Sequence, residues 1–153
     1  MTQSLSDQDF AQVVRFSALV AIDVVITDPG NRILVGLRTN EPAKGQYFVP
    51  GGVVRKDETL DAAFARIVKA ETGLDASRKD ARYLGVYEHF YRTNRYHDPV
   101  YGTHYVVQAY ELRLSHRPSV QLDAQHSQIQ WLTTKEILAS SDVHENTKAY
   151  FGT

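Results

Sequence analysis

The sequence predicts an α/β or α+β sandwich: a mixed β-sheet with helices on either side of it. Three observations predict it. Runs of β-branched and aromatic residues recur from Leu19 to Leu132 and read as strands. A few segments carry helical spacing, most clearly Leu60, Ala63, Phe64 and Ile67 at i, i+3, i+4, i+7. Strands and helices interleave without repeats, linkers or low-complexity tracts, so one domain is expected over residues 1–153.

The elements follow in order. Ser6 with Asp7 and Asp9 reads as a capped helix start, followed by Phe10, Val13 and Val14 at helical spacing. The run Leu19 to Thr27 then meets the turn Asp28-Pro29-Gly30-Asn31 and continues from Arg32 to Leu37, a hairpin by composition and spacing. Tyr47-Phe48-Val49 is a short strand stopped by Pro50-Gly51-Gly52. Thr59 can cap the clearest helix, Asp61 sits in its positive first turn, and Gly73 ends it. Tyr83 to Tyr91 and His104 to Leu114 read as longer strands around a polar loop, Arg92 to Pro99. Gln128 to Leu132 is a short strand, Thr133 to Glu136 a capping box opening a helix, and a shorter helix fits Thr147 to Phe151.

Composition excludes several functions. With 42% hydrophobic residues the chain can bury a full core. Lys+Arg of 17 against Asp+Glu of 18 leaves a net charge of -1 and no basic stripe, which argues against nucleic acid as a partner. The absence of cysteine excludes disulfides and zinc-thiolate sites and fits a reducing cytoplasm. The most apolar stretch, Ala18 to Ile26, is short and broken by Asp23, and no signal-like pattern opens the chain. A soluble cytoplasmic protein with no membrane partner is the expectation.

The chemistry concentrates in "FVPGGVVRKDETLDAAFARIVKAETGL", Phe48 to Leu74. A Gly-Gly pair lets backbone approach closely, so a carbonyl there can serve as a hard oxygen ligand to a divalent cation. By composition alone the pair is a tight turn and Glu71 a solvated acid. The spacing says more: Gly52, five residues, Glu58, seven residues, Arg66, then Val68, Glu71, Gly73 and Leu74. This resembles the signature of the Nudix hydrolases. The resemblance implies a Nudix-type α/β/α sandwich whose loop-helix-loop holds the metal. The chain departs from that pattern at two acids, carrying Ile67 after the arginine and Ala70 before Glu71. In the family pattern those acids bind further metal or activate water against phosphorus. One acid left suggests one Mg²⁺ and a base found elsewhere.

Within the family, the stretches "QDFAQVVR", "GLRTNEPAKGQYFVPGG", "KDETLDAAFAR", "GVYEHFY", "THYVV", "AQHSQIQWL" and "VHENTKAYF" resemble the branch that hydrolyses GDP-mannose to GDP and sugar, in which the same acids are missing. The resemblance implies Mg²⁺ on the Gly51 carbonyl, Glu71 and Gln125, and leaves open whether Mn²⁺ can replace it. It implies His126 as general base, Arg38 and Tyr105 on the departing diphosphate, Asp23 as a site carboxylate, and His89 as a second histidine near the sugar. It also implies a homodimer in which the segment Leu5 to Val14, Asp9 included, completes a neighbour's site. That segment and Tyr47 are the candidates for reading the base.

Each residue has a plainer alternative. His126 lies among polar neighbours and reads as a loop histidine, whereas His89 and His104 read as core histidines within strand patterns. His97, His116 and His144 receive no role. Asp23 is either a buried site residue or an outward strand position, and Tyr105 by residue type is core. Arg66 either contacts phosphate or pairs with Glu58 to brace the loop. Val53 stands where the branch pattern has an arginine after Gly-Gly; if the segment is extended, Arg55 points the same way as Val53 and partly substitutes. Two other functions stay open: a pyrophosphatase attacking nucleoside diphosphate sugars at phosphorus, and a catalytically silent nucleotide-sugar-binding module.

Overall fold

The computed structural model describes residues 4–119 and 126–152, with backbone alone at 126 and 127. Helix α1, Asp7–Phe16, opens at Ser6, whose hydroxyl accepts from the Asp9 amide at 3.2 Å. Strand β1, Leu19–Thr27, follows and forms the spine of the sheet. Asp28 shapes the next turn, its Oδ1 accepting from the amides of Gly30 and Arg32 at 2.9 and 2.8 Å. Strand β2 then runs Arg32–Arg38.

The expected hairpin is paired only at its base, Thr27 opposite Ile33. Beyond that point β2 leaves, and β4, Gly51–Val53, takes its place antiparallel to β1 at Ala21, Ile22 and Asp23. Pro50-Gly51-Gly52 therefore does not simply stop a strand. Strand β3 spans Tyr47–Phe48, and the two glycines form the start of a new strand. Their small size is required there, because a Cβ on Gly51 would collide with Asp23 Oδ1 and lie 2.9 Å from the Ile22 carbonyl oxygen.

On its other edge β1 runs parallel to β6, Thr103–Arg113, and β6 pairs antiparallel with β5, Arg82–Tyr91. Strand β7, His126–Thr133, lies antiparallel to β2 and is longer than its polar sequence suggests. The capping box at Thr133 and Glu136 opens α3, Thr134–Ala139, as expected. The last helix, α4, spans Glu145–Lys148, two residues earlier than its pattern, because His144 Nδ1 caps it by accepting from the Asn146 amide at 3.0 Å.

Strand alternation sends side chains to two cores. Ile22, Val24 and Ile26 of β1 meet Phe64, Ile67 and Val68 of α2, Leu60–Thr72, with Tyr110 and Leu112 of β6. Val25 of β1 and Val35 of β2 meet Ile137 of α3 and Val143 on the opposite face. Helix α2 begins at Thr59, whose hydroxyl accepts from the Ala62 amide, and ends at Gly73 with φ 78°, a left-handed conformation suited to glycine. Among the described residues no helix is long and apolar enough to cross a membrane.

Candidate active site

Strand β1 decides where Asp23 goes. Its alternation turns Asp23 away from α2, onto the face that α3 and the segment around α4 cover. There Asp23 lies opposite Gly51 in the ladder, and the Tyr150 hydroxyl donates to its Oδ2 at 2.5 Å. Burial pushes the Asp23 carboxyl up to about 6, opposed by the Tyr150 hydrogen bond and the positive charge of Arg38. The strand aspartate is thus an inward polar residue with a partner.

An aromatic wall extends from this point. The Tyr150 ring packs edge-on against Tyr87 at 4.7 Å and lies 6.3 Å from the His89 ring. His89 stands opposite Tyr105 across β5 and β6, and Tyr91 lies 5.9 Å from Tyr105 and 5.4 Å from His144. His144 stacks on Phe48 at 4.9 Å, and the Arg38 guanidinium lies 5.8 Å from the Phe48 ring. Arg38 Nε donates to the Pro42 carbonyl at 3.0 Å, which fixes the guanidinium at the end of β2. Its charge opposes the burial that raises the hydroxyls of Tyr105 and Tyr91, the latter pushed up to about 12. Asp23, Arg38, His89, Tyr105 and Gly51 thus share one face.

His89 is 6% exposed, and its Nε2 has no hydrogen-bond partner among the described residues. Burial, with His144 nearby, lowers its pKa to about 4. His89 is therefore expected to stay neutral at pH 5, read by ¹⁵N chemical shifts in an NMR titration; an imidazole titrating near 6.5 would show a hydrated pocket. Between pH 6.5 and 4 the unfolded chain binds this proton and the fold does not. Stability conferred by neutral His89 is accordingly lost as pH falls through that window.

Other sequence candidates fall elsewhere. Arg66 turns back on its own loop: its Nε and Nη2 donate to Glu58 at 2.7 and 2.9 Å, and Nη2 also to the Val53 carbonyl at 2.8 Å. Glu58 Oε1 accepts the Arg55 amide as well, at 2.9 Å, so one carboxylate ties the loop to α2. The bracing alternative describes Arg66, and no substrate contact is needed to account for it. Tyr47 requires correction as a base-reading residue. It is 7% exposed in the second core, its hydroxyl donating to Gln128 and accepting from Gln130, so no free ring face remains. Asp9 is exposed in the first turn of α1. Gln125 lies outside the described residues, as does the side chain of His126; the His126 backbone pairs with Arg38.

The sequence reading missed Tyr91, His144 and Tyr150. All three lie in stretches matched to the family branch, but no motif logic distinguishes a packing tyrosine from one aimed at a carboxylate.

A divalent cation is testable against the donors present. No group of three or more His, Cys, Asp or Glu converges among the described residues. The donors that the family resemblance implies among the described residues, the Gly51 carbonyl of β4 and Glu71 of α2, are hard oxygens, the donor chemistry that Mg²⁺ takes. The first departure from the acid-rich pattern has a structural cause. Ile67 is 2% exposed and packs beneath Gly52, where a Cβ would come within 3.0 Å of its Cγ1. A core hydrophobe occupies the position, while Ala70 is exposed.

The NUDIX domain model matches residues 18–151, nearly all of this fold. The chain belongs to the Nudix family. The stretch that resembles the family signature, Gly52 to Leu74, lies within the matched residues and contains all of α2. Among relatives, the low-salt glycan biosynthesis protein Agl8 of Haloferax volcanii is 38% identical over 128 residues, covering 84% of this chain and 79% of that protein. An ADP-ribose pyrophosphatase of Methanocaldococcus jannaschii is 44% identical over 68 residues, 44% of this chain and 38% of that one. Among solved structures, a MutT protein from Methanosarcina mazei superposes with a TM-score of 0.71 at 18% identity, covering 88% and 90% of the two chains. The NUDIX domain of Shewanella oneidensis NrtR, complexed with ADP ribose, gives 0.67 at 17% identity, with 95% coverage of each chain. These two structures speak for the Nudix fold alone.

Proposed function

We propose that this Nudix hydrolase acts on a nucleotide sugar, GDP-mannose and also GDP-glucose, releasing the free sugar by attack of water at the anomeric carbon. The observation that carries the proposal is the buried Ile67 beneath Gly52, with Ala70 one turn on, where acids serving attack at phosphorus would stand. The site face offers instead a carboxylate, Asp23, and a neutral histidine, His89, beside Arg38 and Tyr105. The similarity to Agl8, whose name places it in glycan biosynthesis, favours an activated sugar over a simple nucleotide.

The residues divide the work by charge. Attack at carbon builds cationic character on the sugar, which the negative charge of Asp23 would offset, and negative charge on the departing diphosphate, which Arg38 and Tyr105 receive. Arg55 adds a second cation on the signature loop. His126, whose backbone pairs with Arg38, takes the proton from water as the carbon–oxygen bond to the new hydroxyl forms and the bond to diphosphate breaks. The configuration inverts. Mg²⁺ held by Gly51, Glu71 and Gln125 would supply further stabilisation of the leaving diphosphate. The active unit is a homodimer acting in the cytoplasm.

The test is hydrolysis of GDP-mannose with Mg²⁺ in ¹⁸O-labelled water, products read by mass spectrometry. Label in free mannose with unlabelled GDP is expected. GMP and mannose 1-phosphate, with label on a phosphate, would support the second reading, a pyrophosphatase, which the partial match to an ADP-ribose pyrophosphatase favours. Tight nucleotide-sugar binding without any product would mean a silent binding module.

A further inference from the structure

We infer that Tyr150 is a positioning residue of this site, its hydroxyl fixing the Asp23 carboxylate over Gly51. The inference rests on the proposed site around Asp23. The geometry is specific. Asp23 has two oxygens with different neighbours: Oδ1 lies where a Cβ of residue 51 would be, and Oδ2 accepts from Tyr150 at 2.5 Å. A charge-assisted O–H···O⁻ bond of this length is among the stronger hydrogen bonds available to a protein. It removes the rotational freedom that a carboxylate on a strand otherwise keeps.

Tyr150 is itself locked. Its amide donates to the Thr147 carbonyl at 3.1 Å, and its ring is wedged between Tyr87 at 4.7 Å and Phe151 at 6.5 Å. The segment that carries it is anchored further back, where Tyr47 bridges to Val143, the Tyr47 amide donating to the Asp142 carbonyl at 2.8 Å and the Tyr47 carbonyl accepting from the His144 amide at 3.2 Å. The anchored segment aims one hydroxyl at one carboxylate oxygen. A tyrosine serving only as packing would have no reason to place its hydroxyl there.

Tyr150→Phe keeps the ring and deletes the donor. The expected result is a fall in kcat of about tenfold to 100-fold, the usual effect of losing a group that orients a site residue, with KM within about threefold of wild type. The deciding measurement is a double-mutant cycle with Asp23→Asn, its slow turnover followed under single-turnover conditions at high enzyme. In the Asp23→Asn background Tyr150→Phe should change the rate by less than about twofold, because no carboxylate remains to orient. An equal loss in both backgrounds, or no loss in wild type, overturns the proposal. Should Tyr150→Phe not fold, 3-fluorotyrosine at 150 alters the hydroxyl's acidity within nearly the same shape; a changed kcat at constant melting temperature supports the role and an unchanged kcat refutes it. The cycle is run on whichever nucleoside diphosphate derivative the wild type hydrolyses. A failure of GDP-mannose as substrate then shows in the wild type alone, and a failure of positioning shows in the coupling.

Discussion

Gly51→Ala is expected to lower kcat/KM by about 100-fold or more while leaving a folded, measurably destabilised protein. The added Cβ would collide with Asp23 Oδ1 and approach the Ile22 carbonyl oxygen at 2.9 Å. The first neighbour can move only by turning the carboxylate away from its hydrogen bond to Tyr150. The second is backbone within the β1–β4 ladder and can move only if Asp23 and Gly51 separate. Either response displaces the Asp23 carboxylate or the Gly51 carbonyl of the proposed centre by a sizeable fraction of an ångström, and misplacement on that scale costs about 100-fold in rate. Gly30→Ala is the contrast, its Cβ meeting only Asp28 Oδ1 at 3.5 Å, ordinary contact at a turn remote from β4. Steady-state kinetics and thermal melts on both variants decide the matter. Wild-type kcat/KM in Gly51→Ala would remove Gly51 and Asp23 from the proposed centre together.

Arg66→Ala should cost about 3 kcal/mol of stability, because it strands Glu58, whose side chain is 3% exposed, without its cation. For a chain of this size that loss lowers the melting temperature by roughly 6–12 °C. The Val53 carbonyl loses its donor at the same time, so the loop between β4 and α2 loosens and turnover falls with it. The pH dependence separates a charge effect from lost packing. Arg66 holds the Glu58 carboxyl below its ordinary value near 4.5, against the opposing effect of burial. The stability from this pair is therefore present above pH 4.5 and is lost as pH falls through the lower folded value. The gap between wild type and Arg66→Ala should be widest near neutrality and close in acid. The double variant Glu58→Gln/Arg66→Met should recover most of the loss, since a buried ion pair replaced by matched neutral groups is often harmless. A gap that does not vary with pH, or no recovery in the double variant, would mean that Arg66 acts through its aliphatic stem.

Much of this was legible in the sequence, and the gaps have physical reasons. The ends of β1, the cap at Thr59, the stop at Gly73 and the capping box at Thr133 are written in local chemistry, and the fold follows them. The role of Gly51-Gly52 as strand was not legible, because a glycine pair after proline has the composition of a turn and its partner, β1, lies nearly 30 residues away. The same limit hid Tyr150, which meets Asp23 from the other end of the chain. Spacing within a signature can be read from one segment; contacts between segments are set by the sheet. Asp23, Arg38, His89 and Tyr105 were nameable only through the family resemblance, and the structure gathers them on one face without itself assigning their chemistry. Tyr47 was misjudged because an aromatic beside the glycine loop looks available until the second core closes over it.

The parallel pairing of β1 with β6 has a consequence for how the enzyme comes into being. Leu19 lies beside Tyr105 and Thr27 beside Arg113, so the centre of the sheet joins segments most of the chain apart. Such a contact carries a large loop-closure entropy before any gain is realised, and it cannot nucleate early. The local pieces, α2 and the β5–β6 hairpin, can form first, but neither places Asp23 and Tyr105 on a common face. Competence should therefore lag behind secondary structure during refolding, with the circular dichroism signal returning ahead of turnover.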